Sequence, residues 1–232
     1  MAPRALTGLT VVLVSFDEAE RLPSALFNAT TAAQHCADTH EIVVVDAGSS
    51  DESIAVAAAT AARDPRVRLV VHAQTLGYGA ALRSGIAAAR MPWVLLADTG
   101  LQFDARDLED MLPLTASADL VVGWRILPQG QVGARARAAI RNRFLRAAFD
   151  LRVHDIDCAF RLVRRELLAH LDLRASGTLV GAELLLKSRA AGARTVEAPL
   201  HHAQIAPRRA TTRTLREVVD LRRALHNGAV GA

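Results

Sequence analysis

The sequence predicts an α/β fold, in which a mostly parallel central sheet is sandwiched between helices. Short apolar runs rich in valine, leucine and isoleucine alternate along the chain with alanine-rich stretches that fit helices. Runs of about four to eight such residues without a helical period are typical of strands buried on both faces. Their alternation with helices favours parallel strands joined by right-handed crossovers. The length of 232 residues suits a single domain over residues 1–232.

The first half of the chain shows the strand–helix alternation most clearly. Its strands are predicted at Leu9–Val14, Glu41–Val45, Val67–Val71, Trp93–Ala97 and Asp119–Gly123. The helices between the strands are predicted at Arg21–Gln34, Ser50–Arg63 and Tyr78–Ala89. The second half is predicted to hold a basic helix, a short strand or edge segment, a helix, a strand and a terminal helix, at Arg135–Phe149, Asp155–Leu162, Val180–Ala191, Thr195–Pro199 and Leu215–Leu225.

The positive charge of the chain is concentrated in clusters. The formal net charge is +4, and from Arg135 to Arg165 nine arginines stand against three aspartates. Basic surfaces of this kind attract phosphate, nucleic acid or anionic lipid headgroups. The alternative is that these arginines form a solvated helix face.

The cysteines and the apolar runs bear on the location of the protein. Two cysteines, Cys36 and Cys158, are too few for a disulfide framework and favour a reducing cytosol. Met1–Leu9 lacks the apolar core of a signal peptide, and no apolar run reaches the roughly 18–20 residues of a membrane span. We therefore expect a cytoplasmic protein, with peripheral contact at the inner face of the membrane as a second possibility.

Acidic side chains follow several of the predicted strands. In an open α/β sheet, ligands bind in the crevice outside the carboxyl ends of the strands. Four segments lie there: Ser15–Glu18, Asp46–Ser50, Gln74–Gly79 and Asp98–Gln102. All of them except Gln74–Gly79 carry acidic side chains. Asp46 and Asp98 directly end apolar strands, which indicates a ligand site. The alternative is that such aspartates are helix caps and turn formers.

Six segments follow one another in the order found in one enzyme family: Val14–Glu18, Val44–Ser49, Thr75–Gly85, Asp98–Gln102, Asp119–Arg125 and Asp155–Arg161. On these segments the chain resembles the family-2 glycosyltransferases, especially the polyprenyl-phosphate (dolichol-phosphate) sugar transferases. The resemblance implies a GT-A (Rossmann-like) domain, with a nucleotide-sugar-binding half at 1–123. The acceptor-binding half and a C-terminal helix would occupy 124–232. The implied reaction is an inverting transfer of a sugar from a nucleotide-diphosphate sugar to a polyprenyl phosphate, with no nucleic-acid partner.

The resemblance also implies the residues that contact the nucleotide-sugar donor: Ser15, Phe16, Glu18, Asp46, Gly77, Gly79 and Arg83. Asp46 would accept hydrogen bonds from the base or the ribose. Gly77 and Gly79 would let the backbone pass close to the nucleotide, where a Cβ would obstruct it. Arg83 would approach the donor, although a helix-surface arginine is an equal alternative.

A divalent cation is the cofactor that the resemblance implies. Mg²⁺ or Mn²⁺ would be held by Asp98 and Gln102 and would stabilise the departing diphosphate. Gly100 replaces the second metal carboxylate of the family. The site is therefore weakened or is completed by Asp104. Two different outcomes stay open: arginines replace the metal, or the chain is a nucleotide-sugar-binding pseudoenzyme.

The chemistry of the acceptor separates two hypotheses about the reaction. A phosphate acceptor is already ionised near neutral pH and needs cations to position it, without a general base. By resemblance, Arg125 and Arg141 would hold that phosphate, and they join Asp98 as the predicted catalytic residues. A hydroxyl acceptor on a soluble natural product or polysaccharide would need a carboxylate base, which Asp155 or Asp157 would have to supply.

Overall fold

The computed structural model describes residues 6–99, 101–102, 104–126, 132–201, 204–205 and 218. Its strands are β1 Leu9–Ser15, β2 His40–Asp46, β3 Val67–Val71, β4 Trp93–Asp98, β5 Leu101–Gln102, β6 Leu120–Arg125, β7 Arg161–Arg164, β8 Thr195–Leu200 and β9 Gln204–Ile205. Its helices are α1 Leu22–Cys36, α2 Ser53–Arg63, α3 Tyr78–Ala88, α4 Ala105–Glu109, α5 Val132–Phe149, α6 Arg165–His170 and α7 Val180–Ala190, with a 3₁₀ helix at Leu112–Ala116. None of these helices combines the length and the hydropathy needed to cross a bilayer.

Seven strands form one sheet in the order β3-β2-β1-β4-β7-β6-β8. Six of them run parallel to one another, and β7 runs antiparallel to its neighbours β4 and β6. A separate antiparallel pair, β5 and β9, joins Leu101–Gln102 to Gln204–Ile205. The predicted α/β fold with a mostly parallel sheet is confirmed.

Packing on both faces of the sheet explains why its strands are continuous apolar runs. Alternate residues of a strand point to opposite faces. Along β1, Val11 and Leu13 belong to the core under α1 and α4, whereas Val12 and Val14 belong to the core under α3, α5 and α7. All seven residues of β1 are buried. A strand covered on both sides has no position for a solvated side chain, so the polar residues fall at its ends.

The predicted segment Asp155–Leu162 differs from the observed strand. The strand begins at Arg161 and lies inside the sheet, between β4 and β6, and residues 155–160 form an irregular segment before it. Leu162 and Val163 are fully buried, one in each core. Burial on both faces makes this short strand central, which its length and its polar start did not indicate.

Several short elements escaped the sequence pattern. Helices α4 and α6 and the pair β5 and β9 have two to six residues each, too few to show a period. Of the predicted terminal helix Leu215–Leu225, only Val218 lies within the described residues, where it is helical and buried. The rest of that prediction lies outside them.

Helix α3 packs closely on the sheet because residue 85 is a glycine. A Cβ at Gly85 would lie 2.3 Å from Cγ1 of Val12 and 3.1 Å from Cγ2 of Val45. Both valines are fully buried, so neither can move aside cheaply. The close contact holds the start of α3 at a defined height above the carboxyl ends of the strands.

Replacing Gly85 with alanine tests this packing. Helix propensity alone would stabilise the protein by about 1 kcal/mol, as alanine is the better helix former. We expect the opposite, a loss of about 1–3 kcal/mol, because the added methyl group overpacks the core. The free energy of unfolding is measured by urea titration. Ala87→Gly at an exposed position of the same helix reports the propensity effect alone, and a stabilised Gly85→Ala variant would contradict the packing.

Candidate functional site

The carboxyl ends of three neighbouring strands bring the candidate donor residues together. In the parallel register Ser15 lies opposite Asp46, and Val14 lies opposite Asp98. Ser15, Asp46 and Asp98 are all buried, at 1%, 1% and 6% exposure. The strand ends predicted to carry the site therefore meet at one edge of the sheet.

Two buried polar atoms at this edge lack a hydrogen-bond partner among the described residues. They are Oγ of Ser15 and Oδ2 of Asp46. The other carboxylate oxygen of Asp46 accepts hydrogen bonds from the backbone N–H groups of Gly48 (3.0 Å) and Ser49 (2.9 Å). Buried polar groups are normally paired, so an unpaired hydroxyl and an unpaired carboxylate oxygen side by side mark a place for a ligand. A hydroxyl donates or accepts and a carboxylate accepts, which suits the edge of a base or the hydroxyls of a ribose.

A histidine adjoins this pair and was missed by the sequence reasoning. His72 follows β3, and its backbone N–H donates to the carbonyl oxygen of Asp46 (3.0 Å). Its Nε2 lies 2.9 Å from Oγ of Ser84, and its buried Nδ1 has no partner in the described part of the chain. Only its position directly after an apolar run, like that of Asp46, could have drawn attention to it.

The turns after β1 and β2 are held to each other by side-chain oxygens. Oδ1 of Asp17 accepts a hydrogen bond from the backbone N–H of Ser50 (2.7 Å), and Oδ2 of Asp51 accepts one from that of Ala19 (2.9 Å). Asp17 has a φ of 50°, in the left-handed region that a short polar side chain tolerates. Asp51, which follows β2, thus braces the neighbouring turn.

The remaining predicted residues of the first turn line its outer side. Phe16 is 45% exposed at the rim. Oε2 of Glu18 accepts a hydrogen bond from Nη1 of Arg21 at 3.3 Å. Phe16 directly follows Ser15 and Glu18 lies three residues from it, and their contact with a donor stays a prediction.

The glycines at the start of α3 pack against the backbone of residues 175–176. A Cβ at Gly77 would lie 2.4 Å from the carbonyl oxygen of Ser176, and one at Gly79 would lie 2.1 Å from that of Ala175. The chain's own backbone therefore excludes a Cβ at both positions, and the contact of these glycines with a nucleotide stays a prediction. Gly77 also has a φ of 95°, which favours glycine. Nη1 of Arg83, predicted to approach the donor, donates to the carbonyl oxygen of Ala175 at 2.6 Å and is tied to the same segment.

Glu183 of α7 organises the segment that these glycines contact. Its carboxylate is 1% exposed and accepts hydrogen bonds from the backbone N–H groups of Arg174 (2.9 Å) and Ala175 (2.8 Å). Nζ of Lys187, one turn further along α7, lies 2.8 Å from its other oxygen. The carbonyl oxygen of Ser176 in turn accepts a hydrogen bond from the backbone N–H of Gly79 (2.8 Å). A buried carboxylate in the second half thus positions the start of α3 in the first half.

Among the described residues at this edge, Asp98 is the carboxylate that was predicted to bind a cation. The described residues contain no group of three histidine, cysteine, aspartate or glutamate side chains that could hold a metal ion. Asp104, the alternative second ligand, caps α4 by accepting a hydrogen bond from the backbone N–H of Arg106 (2.9 Å). Gly100 and the side chain of Gln102 lie outside the described residues. Since Mg²⁺ often takes one carboxylate and completes its shell with phosphate oxygens and water, Asp98 fits a donor-dependent cation site.

The second half of the edge is built around a buried ion pair. Nε and Nη2 of Arg125 donate to the two carboxylate oxygens of Asp155 at 2.5 and 2.9 Å. Burial opposes both charges, yet the mutual hydrogen bonds and attraction outweigh it, so the pKa of Asp155 is lowered and that of Arg125 is raised. Arg125 was predicted to hold an acceptor phosphate. Two of its three nitrogens are committed to Asp155, and the predicted role is left to Nη1.

Asn142 joins α5 to the same ion pair and was missed by the sequence reasoning. Its side chain is buried, donates to Oδ1 of Asp155 (3.2 Å) and accepts a hydrogen bond from the backbone N–H of Ile156 (2.9 Å). The available signal was its place on one helix face with Leu145 and Phe149, three and seven residues on. The side chain of Arg141, the second predicted phosphate ligand, lies outside the described residues.

Arg161 is a buried cation held by backbone carbonyls. Its guanidinium donates to the carbonyl oxygens of Ile156 (2.6 Å), Cys158 (3.0 Å) and Gly181 (2.6 Å), which join the segment before β7 to the start of α7. Burial lowers its pKa. It borders a narrow cleft at the carboxyl edge, with a lining that includes Tyr78, Leu96, Asp157, Arg161, Thr178 and Gly181.

The mostly parallel sheet with its acidic carboxyl edge has the architecture of the GT-A fold. A model of the glycosyl transferase family 2 matches residues 10–172, and the chain belongs to this family. The chain is 36% identical over 194 residues to an uncharacterized glycosyltransferase of Mycobacterium tuberculosis, covering 82% of this chain and 83% of that protein. It is therefore a glycosyltransferase.

Two further comparisons extend the likeness. A polyprenol monophosphomannose synthase of Mycolicibacterium smegmatis is 31% identical over 175 residues, which cover 71% of this chain and 64% of that protein. The structure of glucosyl-3-phosphoglycerate synthase from Mycobacterium tuberculosis, in complex with Mn²⁺, uridine diphosphate and phosphoglyceric acid, superposes with a TM-score of 0.70. The identity is 22%, over 94% of this chain and 75% of that one, and this likeness shows the fold.

Replacing Asp155 with asparagine tests the ion pair. We expect a loss of about 3 kcal/mol at neutral pH, because the charge of Arg125 is left buried without its partner. The wild-type pair stabilises the fold above the ordinary aspartate pKa of about 3.9, and this stabilisation is lost as the pH falls through the lower pKa of folded Asp155. The difference between the two proteins should therefore shrink below about pH 4.

The free energy of unfolding is measured by denaturant titration across this pH range. Asp172→Asn is the matched control, because Asp172 pairs with Arg174 on the surface, and its effect should be small. A difference for Asp155→Asn that stays constant down to pH 2 would contradict the assignment.

Proposed function

We propose that the chain is an inverting transferase that moves a sugar from a nucleotide-diphosphate sugar to a polyprenyl phosphate. Oγ of Ser15 and Oδ2 of Asp46, which have no partner among the described residues, support a nucleotide-sugar as the donor. The observation that carries the choice of acceptor is the commitment of Asp155 to Arg125 and Asn142. In this proposal residues 1–123 bind the donor and residues 124–232 bind the acceptor.

The donor site follows from the edge formed by β1, β2 and β4. Ser15 and Asp46 bind the base or the ribose through Oγ and Oδ2, the two atoms without partners among the described residues. Phe16 at the rim covers the nucleotide, and Asp98 lies two strands from Asp46, on the far side of β1. This separation supports a diphosphate beside Asp98 when the nucleoside lies over Asp46.

Asp98 and Gln102 would hold the divalent cation, Mg²⁺ or Mn²⁺. A cation bound there supplies positive charge to the diphosphate leaving group. Asp98 is buried and ends β4 next to β1, so its carboxylate is fixed relative to the donor. Gly100 leaves the site without a second carboxylate in this motif, so metal affinity depends on the bound diphosphate.

The acceptor is proposed to be a phosphate because Asp155, one of the two candidate carboxylates, is a poor base. A hydroxyl acceptor requires a group that takes its proton. Asp155 has a lowered pKa and is hydrogen-bonded by Arg125 and Asn142, so it has little tendency to do so. A phosphate acceptor attacks in its ionised form and needs cations to hold it. Arg125 through Nη1, and Arg141, are the proposed ligands.

The relatives support a phosphate-bearing acceptor. One is a polyprenol monophosphomannose synthase, and one solved structure with this fold holds phosphoglyceric acid beside uridine diphosphate. The first is a lipid phosphate enzyme by name, and the second carries a small soluble phosphate. We propose the lipid acceptor because the polyprenol monophosphomannose synthase shares more sequence with the chain than the phosphoglycerate enzyme does. With such an acceptor, the protein would work at a membrane surface.

Ser15→Ala separates ligand binding from stability. Its hydroxyl has no described partner, so its removal should leave the thermal midpoint of the free protein unchanged or slightly raised. Binding of the nucleotide should weaken about 3- to 10-fold, the value of one hydrogen bond. Uridine and guanosine diphosphates serve as probes, and affinity is read from the ligand-dependent rise in the thermal midpoint.

Ser188→Ala is the matched control for this experiment. Oγ of Ser188 is also buried without a partner among the described residues, but it lies on α7. Equal nucleotide affinity for Ser15→Ala, Ser188→Ala and the wild type would remove Ser15 from the donor site.

Transfer is tested with radiolabelled nucleotide sugars, Mn²⁺ and three acceptors. These are a short-chain polyprenyl phosphate, 3-phosphoglycerate and the corresponding polyprenol without phosphate. Of the three acceptors, we expect only the polyprenyl phosphate to give product. Product with 3-phosphoglycerate would point to a soluble acceptor, product with the polyprenol would overturn the phosphate requirement, and donor binding without any transfer would favour the pseudoenzyme.

Two carboxylate variants complete the transfer experiment. Asp98→Ala should lower the rate by about 100-fold or more, since a metal contributes several kcal/mol to charge stabilisation. Asp104→Ala removes a helix cap from the same segment and should keep most of the activity. The reverse result would assign the cation to Asp104.

A further inference from the structure

We propose that the outer face of α5 binds the surface of an anionic lipid bilayer. The contact consists of an apolar ridge, Ile140 and Phe144, together with the exposed Arg143. This inference rests on the proposed lipid acceptor and names the surface by which the protein would reach it.

The ridge is apolar and exposed although the helix is well anchored. Ile140 is 71% exposed and Phe144 is 42% exposed. They lie four residues apart and are therefore neighbours on one helix face. On the opposite side of the helix, Asn142, Leu145 and Phe149 are buried. The ridge is thus surplus to the packing of α5, and two adjacent large apolar side chains in water favour a partner.

The charge of α5 selects the kind of partner. The helix carries five arginines and no acidic residue over Val132–Phe149. Arg143, three residues from Ile140, is exposed beside the ridge, and Arg146 is exposed further round the helix, toward Asn142. Arginine reaches lipid phosphates with its guanidinium while its stem lies along apolar surface. Apolar side chains next to several basic ones, without acidic residues, are typical of helices that lie in the interface of anionic membranes.

The position of the ridge connects it to the proposed acceptor site. Asn142 lies two residues from both Ile140 and Phe144 and faces the opposite way, toward Asp155 and Ile156. One helix diameter, about 10 Å, separates the ridge from the segment that would meet the acceptor phosphate. A lipid phosphate projecting from a membrane under α5 would have a short path to that segment.

Helix α1 provides an internal comparison. Phe27 is 71% exposed, as much as Ile140, but α1 contains no arginine or lysine. If exposure alone led to membrane contact, Phe27 would contribute equally. If apolar and basic groups must act together, only the α5 ridge would contribute to membrane binding.

The experiment measures co-sedimentation of the full chain with vesicles that contain no acceptor and no donor. One set is phosphatidylcholine and the other is phosphatidylcholine mixed with phosphatidylglycerol. We expect binding to the mixed vesicles that weakens with added salt, and little binding to phosphatidylcholine. The double variant Ile140→Ser/Phe144→Ser should bind the mixed vesicles roughly tenfold more weakly or worse, whereas Phe27→Ser should bind like the wild type.

Four results would overturn the proposal. They are absence of wild-type binding to the mixed vesicles, equal loss for Phe27→Ser, a fall in the thermal midpoint of the ridge variant, and a wild-type dimer in gel filtration that the ridge variant breaks. The third would show that the ridge packs inside the protein, and the fourth that it faces a second copy. Because no transfer occurs in this experiment, a negative result is separate from failure of the proposed reaction.

Discussion

The pairing of β1 with β2 on one side and β4 on the other determines where Ser15, Asp46 and Asp98 lie. A parallel register aligns the strand ends, so Ser15, Asp46 and Asp98 meet although more than eighty residues separate the first from the last. The strands are buried on both faces and tolerate polar side chains only where they end. A shift of one residue in any strand would move its apolar side chains to the wrong core, so the register and the site are specified together.

The two halves of the chain are joined by hydrogen bonds as well as by the sheet. Glu183 holds the backbone of residues 174–175, and that segment packs against Gly77 and Gly79 at the start of α3. A buried carboxylate that accepts several N–H groups is costly to disturb, because each would lose its partner in a place without water. The shape of the donor edge therefore depends on a residue of α7.

Buried charges in the second half of the chain contribute more to positioning the backbone than to net stability. Arg125 and Asp155 form a bidentate pair, and Arg161 is solvated by three carbonyl groups of the protein. Such buried charges stabilise the fold little more than well-packed apolar residues would, but their hydrogen bonds form in only a few arrangements of the backbone. They fix the irregular segment 155–160 between β7 and α5, where an acceptor would have to be oriented.

The sequence by itself determined the longer helices and the ends of the strands in the first half, because apolar periodicity is local and strand ends are where polar residues must appear. Asp46 and Asp98 could be singled out on that ground, and the family could be recognised from motif order. The tertiary structure decided which side chains remain available to a ligand. Arg125 and Asp155, or Gly79 and Ser176, are far apart in the chain, and only folding shows that each satisfies the other. Conversely, only the folded structure shows that Oγ of Ser15 and Oδ2 of Asp46 are buried without a partner among the described residues.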